Sequence, residues 1–304
     1  MRKISSILVV ANHDESDKPL LEKAVHLARR LGARIELFTC DADQAYMLRR
    51  AFDSTGVEQA WLCSFTESCE YLETLCQAVN APDVNIVVDA VCDSPRYQAV
   101  VDKVRACRPD LVMKSTSGAH PLRRFTLDSN DWELMRACPA TLLLSRGKPW
   151  GAHPRFTAMV DVSEEETPSL PESIVSMADL LARACGGEVD VAYGERDSAG
   201  FASAERAAKL DGLAAACHID RGHVHVLEGD PGHVLAAFAA RQSCDAIVLG
   251  ALSHRENLTS LVGQLTGRLV EALTCDFVLV KAPEAAVEED RPVPRALPAP
   301  HLAA

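Results

Sequence analysis

The sequence predicts an α/β protein built from two tandem, doubly wound, parallel five-stranded sheets of the Rossmann-like type. Short apolar runs alternate with helical stripes along the chain, as expected for parallel strands joined by crossover helices. The same order of elements occurs twice, and the second copy begins near Phe156. The length of 304 residues also suits roughly two domains.

The first half contains five predicted strands with helices between them. Pro19 suits the first turn of a helix that stops at Gly32, and Asp128 or Ser129 is placed to cap a later helix. The predicted strands cover residues 7–11, 33–40, 84–91, 111–113 and 140–144. The predicted helices cover residues 19–32, 42–80, 95–107 and 129–137.

The second half repeats this order, and local matches indicate a duplication. Asp93-Ser-Pro95 matches Gly229-Asp-Pro231, and each stretch opens a predicted helix. The predicted strands cover residues 156–160, 189–193, 223–227, 246–250 and 277–280. The predicted helices cover residues 170–185, 203–217, 231–242 and 264–273. Strands separated by helices in this way favour parallel pairing with helices on both faces.

The domain boundaries follow from composition. We expect one domain over residues 1–146, a linker rich in glycine and proline over 147–154, and a second domain over 155–283. Residues 284–304 contain four prolines and no aromatic residue. This tail is therefore expected to be disordered, because it cannot build a core.

Composition and charge exclude several classes of function. A net charge of -12 disfavours nonspecific binding to nucleic acid or to an anionic membrane. The start of the chain leads directly into a strand, and no apolar run approaches the roughly 20 residues of a membrane span. Eleven scattered cysteines show neither a C-x-x-C pair nor zinc-ligand spacing. These features predict a cytoplasmic protein with free thiols.

One stretch of the second half, residues 246–283, predicts a ligand site. An apolar run ends at Gly250, a polar loop covers 253–260, and Gly263 precedes a predicted helix. Unpaired amides at a helix start hold anions, and ligands of open α/β sheets lie at the carboxyl ends of strands. An ordinary connecting loop with two structural glycines is the alternative interpretation.

Two motifs of the second half carry a family resemblance. They are the strand end Val160-Asp-Val-Ser-Glu164 and the turn Glu228-Gly-Asp-Pro231. Over about residues 4–283, the chain resembles the universal stress protein family. The nucleotide signature of that family is Gly, two residues, Gly, nine residues, Gly and then Ser or Thr. Its spacing is kept here as Gly250, Ser253, Gly263 and Gln264.

The first half resembles the tandem-domain E type of that family. The matching stretches are Phe125–Trp132, Leu134–Pro139 and Lys148–Trp150. The resemblance implies that the two domains pair as an internal pseudo-dimer through their last strands, Ala140–Leu144 and Phe277–Val280. A homodimer of whole chains is also compatible with it.

The resemblance implies that ATP or another adenine nucleotide binds the second half. The adenosine would lie near Val160 and Asp161, although Asp161 could instead cap a turn. Magnesium is expected only together with the nucleotide, and no other metal is predicted. Ser253 replaces a glycine and Gln264 replaces a hydroxyl residue, so binding should be weak. The predicted phosphate side comprises Gly250, Ser253, His254, Arg255, Gly263, Gln264 and Thr266.

The first half is not expected to bind ATP. Asn12 stands where the second half has Asp161, and we expect Lys114 to stand where it has Gly250. A lysine side chain there would lie in the path of the phosphates. His13 and Asp14 are neighbours without a supporting nucleophile, which favours a loop role.

Histidines 218, 223, 225 and 233 cluster in the sequence, and His223 and His225 share one face of a strand. No carboxylate or cysteine completes a metal site by pattern, so these histidines are expected to be structural.

Three functions fit the sequence. The first is a cytoplasmic stress-response module that binds a small ligand. The second is a scaffold that holds an apolar ligand or nothing. The third is a slow adenine-nucleotide hydrolase, which the resemblance suggests because the family fold resembles α-hydrolases of adenine nucleotides. No metal-binding carboxylate pair or general base stands out for hydrolysis, which favours a protein that is not an enzyme.

Overall fold

The computed structural model describes residues 3–42, 54–116, 128–162, 169–195, 201–251, 269–270 and 272–281. Its strands are β1 Ser6–Ala11, β2 Arg34–Cys40, β3 Ile86–Val91, β4 Leu111–Ser115, β5 Thr141–Ser145, β6 Arg155–Met159, β7 Glu188–Glu195, β8 Val224–Glu228, β9 Ala246–Gly250 and β10 Asp276–Val280. Its helices are α1 Asp17–Leu31, α2 Ser54–Val79, α3 Arg96–Cys107, α4 Ser129–Ala137, α5 Ser169–Cys185, α6 Phe201–Ala216 and α7 Pro231–Gln242. A short 3-10 helix covers Arg221–His223.

The ends of the helices show the local chemistry that the sequence predicts. Gly32 ends α1 in the left-handed conformation with φ 66, and its N–H bonds to the carbonyl of Ala28. The carboxylate of Asp128 caps α4 by accepting from the amide of Asp131. Pro231 opens α7, as the match with the first half predicts.

The strands form one ten-stranded sheet in the order β3-β2-β1-β4-β5-β10-β9-β6-β7-β8. Within each half all pairs are parallel, and β5 and β10 pair antiparallel, with Phe277 opposite Leu144 and Leu279 opposite Leu142. The two predicted five-stranded sheets are therefore confirmed, and their last strands join them into a single sheet.

Two hydrophobic cores cover the two faces of this sheet, and each core runs through both halves. On one face, α1 and α5 contact each other, so that Leu20 and Leu27 lie in the same core as Ile174 and Leu181. The other face is covered by α3, α4 and α7. Central strands are buried on both faces, which explains why they appear in the sequence as continuous apolar runs.

Residues 147–154 take part in the junction between the halves. The indole Nε1 of Trp150 donates to Asp276 at 2.8 Å, and its ring contacts Phe156 edge to face at 5.2 Å. Lys23 donates to the carbonyl of Lys148 at 3.0 Å. A segment with the composition of a linker is thus fixed by side chains from both halves.

Among the residues that the structure describes, no helix is both long enough and apolar enough to span a bilayer.

Candidate ligand site

The strand order of the second half creates a switch point between β6 and β9. The chain leaves β6 toward β7 on one side and returns from β8 to β9 on the other side. Phe156 pairs with Ala246 and Ala158 with Val248, so both strands end at the same edge of the sheet. Doubly wound sheets bind ligands in the crevice outside such a pair of carboxyl ends.

Three predicted site residues lie at this switch point. Val160 and Asp161 directly follow β6, and Gly250 is the last residue of β9. The amide of Val160 donates to the carbonyl of Ala192 at 3.1 Å, which holds the end of β6 against β7. Asp161 is half-buried at the mouth of the crevice. The remaining predicted residues, Ser253, His254, Arg255, Gly263, Gln264 and Thr266, lie outside the described residues.

The neighbouring strand end adds residues that the sequence analysis missed. Tyr193 is buried near Asp161, and burial together with the negative charge of Asp161 raises the pKa of its phenol. Glu195 is only 3% exposed and accepts from Nε of Arg206 at 2.7 Å. The sequence signal that could have indicated this site was the charged residue Glu195 at the end of the apolar β7. These residues place polar groups at the carboxyl end of β7, the strand that pairs with β6.

The corresponding place in the first half shows that one expectation was wrong. Ile7 pairs with Leu111 as Phe156 pairs with Ala246, so Ser115 holds the position equivalent to Gly250 and Lys114 lies one residue earlier. Side chains alternate along a strand, so Lys114 points beneath α4 rather than into a phosphate path. Its ammonium donates to Asp131 at 2.6 Å, and both side chains are buried.

The carboxylates of the first half occupy its own anion-binding positions. Asp17 is 1% exposed and accepts from the amides of Asn12 and His13, both at 2.8 Å. It also accepts from the hydroxyl of Tyr71 at 2.7 Å. The carboxylate of Asp128 accepts from the amide of Asp131 at the start of α4, at 2.7 Å. Amides that could bind a phosphate are therefore bonded to side chains of the chain itself.

The crevice of the first half is also bridged. Nδ2 of Asn12 donates to the carbonyl of Ser115 at 3.0 Å, across the switch point between β1 and β4. His13 stacks on Tyr71 with ring centroids 4.2 Å apart, and burial lowers the pKa of its imidazole. This contact agrees with the loop role predicted for His13.

The histidine cluster contains a carboxylate that the sequence pattern does not reveal. Asp190, 4% exposed, lies 3.0 Å from both Nδ1 of His223 and Nε2 of His225. The first half has a comparable contact on β2 and β3, where Lys103 bonds Glu36 and lies 2.6 Å from Asp89. Among the described residues, no group of three or more His, Cys, Asp or Glu is arranged to hold a metal. The two histidines and Asp190 form a polar contact between β7 and the segment that leads into β8.

The fold defines a class, the tandem α/β proteins in which two doubly wound halves each have a switch point at the carboxyl ends of parallel strands. A family model described as the universal stress protein family matches residues 3–146 and 171–281. The chain belongs to the universal stress protein family.

Relatives in sequence resemble the chain over nearly its whole length. Universal stress protein E of Escherichia coli is 23% identical over 307 residues, which cover 92% of this chain and 95% of the relative. Its homologue in Haemophilus influenzae is 23% identical and covers 92% of this chain and 98% of the relative. The resemblance to the tandem-domain E type is confirmed.

Solved structures share the fold. A protein of unknown function from Pseudomonas aeruginosa has a TM-score of 0.75 at 20% identity, covering 94% of this chain and 95% of the other. A universal stress protein from Archaeoglobus fulgidus has a TM-score of 0.69 at 14% identity, covering 91% and 98%. The cytoplasmic domain of a prokaryotic cation chloride cotransporter has a TM-score of 0.52 at 13% identity, covering 94% and 97%. The fold alone therefore does not identify the function, which has to be argued from the residues of the site.

Proposed function

We propose that this universal stress protein is a cytoplasmic binding module of the stress response. Its second half binds an adenine nucleotide, with ATP as the first candidate, and its first half serves as a scaffold. The difference between the two switch points carries the proposal. Asp161 and Gly250 flank one of them, whereas Asn12 and Ser115 are hydrogen-bonded across the other.

The chemistry of the second half suits a nucleotide. A half-buried carboxylate at Asp161 can accept from ribose hydroxyls, and Gly250 lets the backbone approach a ligand closely. The phosphates would lie over Gly250, Gly263 and Thr266, with His254 and Arg255 supplying donors. Magnesium, when bound with the nucleotide, would neutralise phosphate charge.

The scaffold is the second candidate function. In the first half, Asp17 and Asp128 already bond the amides that a phosphate would need. If the second half proved to be filled in a similar way, the whole chain would act as a scaffold or hold an apolar ligand. Hydrolysis would require ATP turnover in addition to binding.

Calorimetric titration of ATP into the full chain tests the proposal. The double variant Ser253→Gly with Gln264→Ser should bind ATP more tightly, because it removes a Cβ and restores a hydroxyl. Gly263→Asp should abolish binding by placing a carboxylate against the phosphates. Ser115→Gly in the first half is the matched control and should leave the affinity unchanged.

Two outcomes count against this function. No heat at millimolar ATP from either the unaltered chain or the double variant would favour the scaffold. Release of phosphate from bound ATP over repeated turnovers would favour the hydrolase.

A further inference from the structure

The outer strand of the first half has one side of its backbone open. Among the described strands, β3 lies at one end of the sheet order and pairs only with β2. The carbonyls of Asn85 and Val91 accept from the amides of Ile35 and Asp41, both at 2.9 Å. Successive residues of a strand direct their peptide groups to opposite sides, so the even-numbered residues of β3 point away from β2.

Two bonded amides mark the limits of the open stretch. The amide of Val84 donates to a carbonyl of the preceding turn at 3.1 Å. The amide of Ala90 donates to the carboxylate of Asp89 at 2.9 Å. The outward peptide groups between these limits belong to Ile86 and Val88. Open peptide groups on an edge strand are a template for pairing with another chain.

The open stretch is apolar and uncharged. Val87 lies between the two outward residues and is 54% exposed. Residues 84–88 contain no charged side chain, in a chain with a net charge of -12. Two copies of so acidic a chain repel each other, so an uncharged stretch is where they can approach.

Helix α2 extends this surface on one face of the sheet. Phe65, Cys69 and Cys76 are half-buried at helical spacing along one side of α2, and Leu62 on the same side is 45% exposed. Tyr71, on the opposite side of the helix, is bonded to α1. Cys76 packs against the same core as the outward residues of β3. The apolar side of α2 therefore borders the open edge.

We propose that the open edge of β3 is a homodimer interface, at which β3 of a second copy of this chain pairs antiparallel about a two-fold axis at Val87. Ile86 of each copy then lies opposite Val88 of the other, and each such pair exchanges two hydrogen bonds. Val87 faces its counterpart in the other copy. Asn85 lies opposite Asp89 of the other copy, whose carboxylate can accept from the amide side chain.

The junction between the halves of one chain already has this architecture. There, β5 and β10 pair antiparallel, and α1 and α5 contact each other on one face of the sheet. In the dimer, two copies of β3 pair in the same sense, and the two copies of α2 lie side by side on one face. The sheets of the two copies become continuous.

The outer strand of the second half, β8, suits a second copy less well. The amide of Gly229 donates to β7, so Val224, Val226 and Glu228 point outward. The amide of Val224 is bonded to the carbonyl of Arg221. Pairing two copies through the remaining residues would make the two Glu228 side chains diagonal neighbours, and like charges at this range repel. Pairing β3 with β8 would instead leave an open edge at each end and give growing assemblies.

Sedimentation velocity of the full chain over a series of concentrations tests the interface. The unaltered chain should reach twice the mass of one chain and no more. Val87→Lys should raise the dissociation constant of the dimer roughly 10-fold or more, because it places two ammonium groups opposite each other. Val226→Lys makes the same change on β8, where Val226 is 44% exposed, and should leave the dimer unchanged.

A mixture of two variants tests the register. Val87→Glu alone should also weaken the dimer, because two carboxylates then face each other. An equal mixture of Val87→Glu and Val87→Lys should recover the dimer, since opposite charges meet at the axis. This recovery requires residue 87 of one copy to lie opposite residue 87 of the other. A mixture that stays monomeric would overturn the proposal.

The other outcomes are equally decisive. A monomer at every concentration, or a dimer that survives Val87→Lys, would overturn the proposal. Equal losses in Val87→Lys and Val226→Lys would do the same. Assemblies that grow beyond the dimer with concentration would indicate pairing of β3 with β8 instead. Circular dichroism of the three variants should match that of the unaltered chain, because both valines are exposed.

Discussion

Single residues account for the different chemistry of the two halves. Lys114 and Asp131 form a buried ion pair beneath α4, with side chains 3% and 0% exposed. The equivalent positions of the second half hold Leu249 and Thr266. A buried pair gains little over apolar residues of similar size, but losing one partner leaves an isolated charge. Neither Lys114 nor Asp131 can therefore be replaced alone without destabilising the packing of the first half.

Lys114→Met should lower the free energy of unfolding by about 3–5 kcal/mol at pH 7, because it leaves Asp131 buried without its partner. Adding Asp131→Thr, which copies the second half, should recover much of this loss. Urea unfolding followed by circular dichroism measures both effects. Lys18→Met is the control, since Lys18 and Glu22 are 3.8 Å apart and both 54% exposed. Similar losses in the two single variants would contradict the argument.

The same variant should depend on pH. Burial raises the pKa of Asp131, and the charge of Lys114 opposes this. An acid with a raised folded pKa favours folding at low pH, and this contribution is lost as pH rises through the folded value. Without Lys114 the pKa should rise further. The deficit of Lys114→Met should therefore be smaller at pH 5 than at pH 7, and a constant deficit would rule out Asp131 as its source.

At the scale of elements, the close packing of α7 against β7 depends on a glycine. Gly194 lies one residue before Glu195 in β7. A Cβ added at Gly194 would lie 2.8 Å from Cα of Pro231 and 2.9 Å from its Cβ, at the first residue of α7. Only a glycine lets the helix start so near the strand.

Gly194→Ala should destabilise the protein by about 1–3 kcal/mol, because the first turn of α7 has to move. Gly212→Ala provides the contrast: Gly212 lies inside α6, and nothing is within 4 Å of an added Cβ. That variant should gain roughly 0.5–1 kcal/mol from better helix propensity. Thermal unfolding of the two variants should shift in opposite directions, and a shared direction would contradict this account.

The elements also show what the sequence could reveal. Central strands such as β1, buried on both faces, stand out as apolar runs, whereas the partly exposed edge strand β3 begins at Ile86 rather than at the predicted residue 84. The switch point follows from element order alone. Register does not, because an apolar run fits several alignments, and Lys114 was therefore misplaced by one residue. Contacts such as Asp17 with Tyr71, 54 residues apart, leave no local pattern.

The whole molecule depends on a junction that both halves build. Lys23 of α1 is bonded to Asp276 of β10, and both side chains are at most 5% exposed. Trp150 donates to the same carboxylate, and the ammonium of Lys23 lies 4.8 Å from its ring centroid. Since both cores also run across the junction, the two halves are expected to unfold together.

Trp150→Ala tests this cooperativity. Removing the indole deletes contacts to both halves, so calorimetry should show the single unfolding transition of the full chain separating into two. The stability loss should stay below the roughly 3–5 kcal/mol typical of a fully buried tryptophan, because Trp150 is half-buried. Trp61→Ala makes the same chemical change in α2, where Trp61 stacks on Phe65 of its own helix at 5.6 Å. That variant should keep one transition. If Trp150→Ala also unfolds in one transition, the continuous sheet and cores alone suffice to couple the halves.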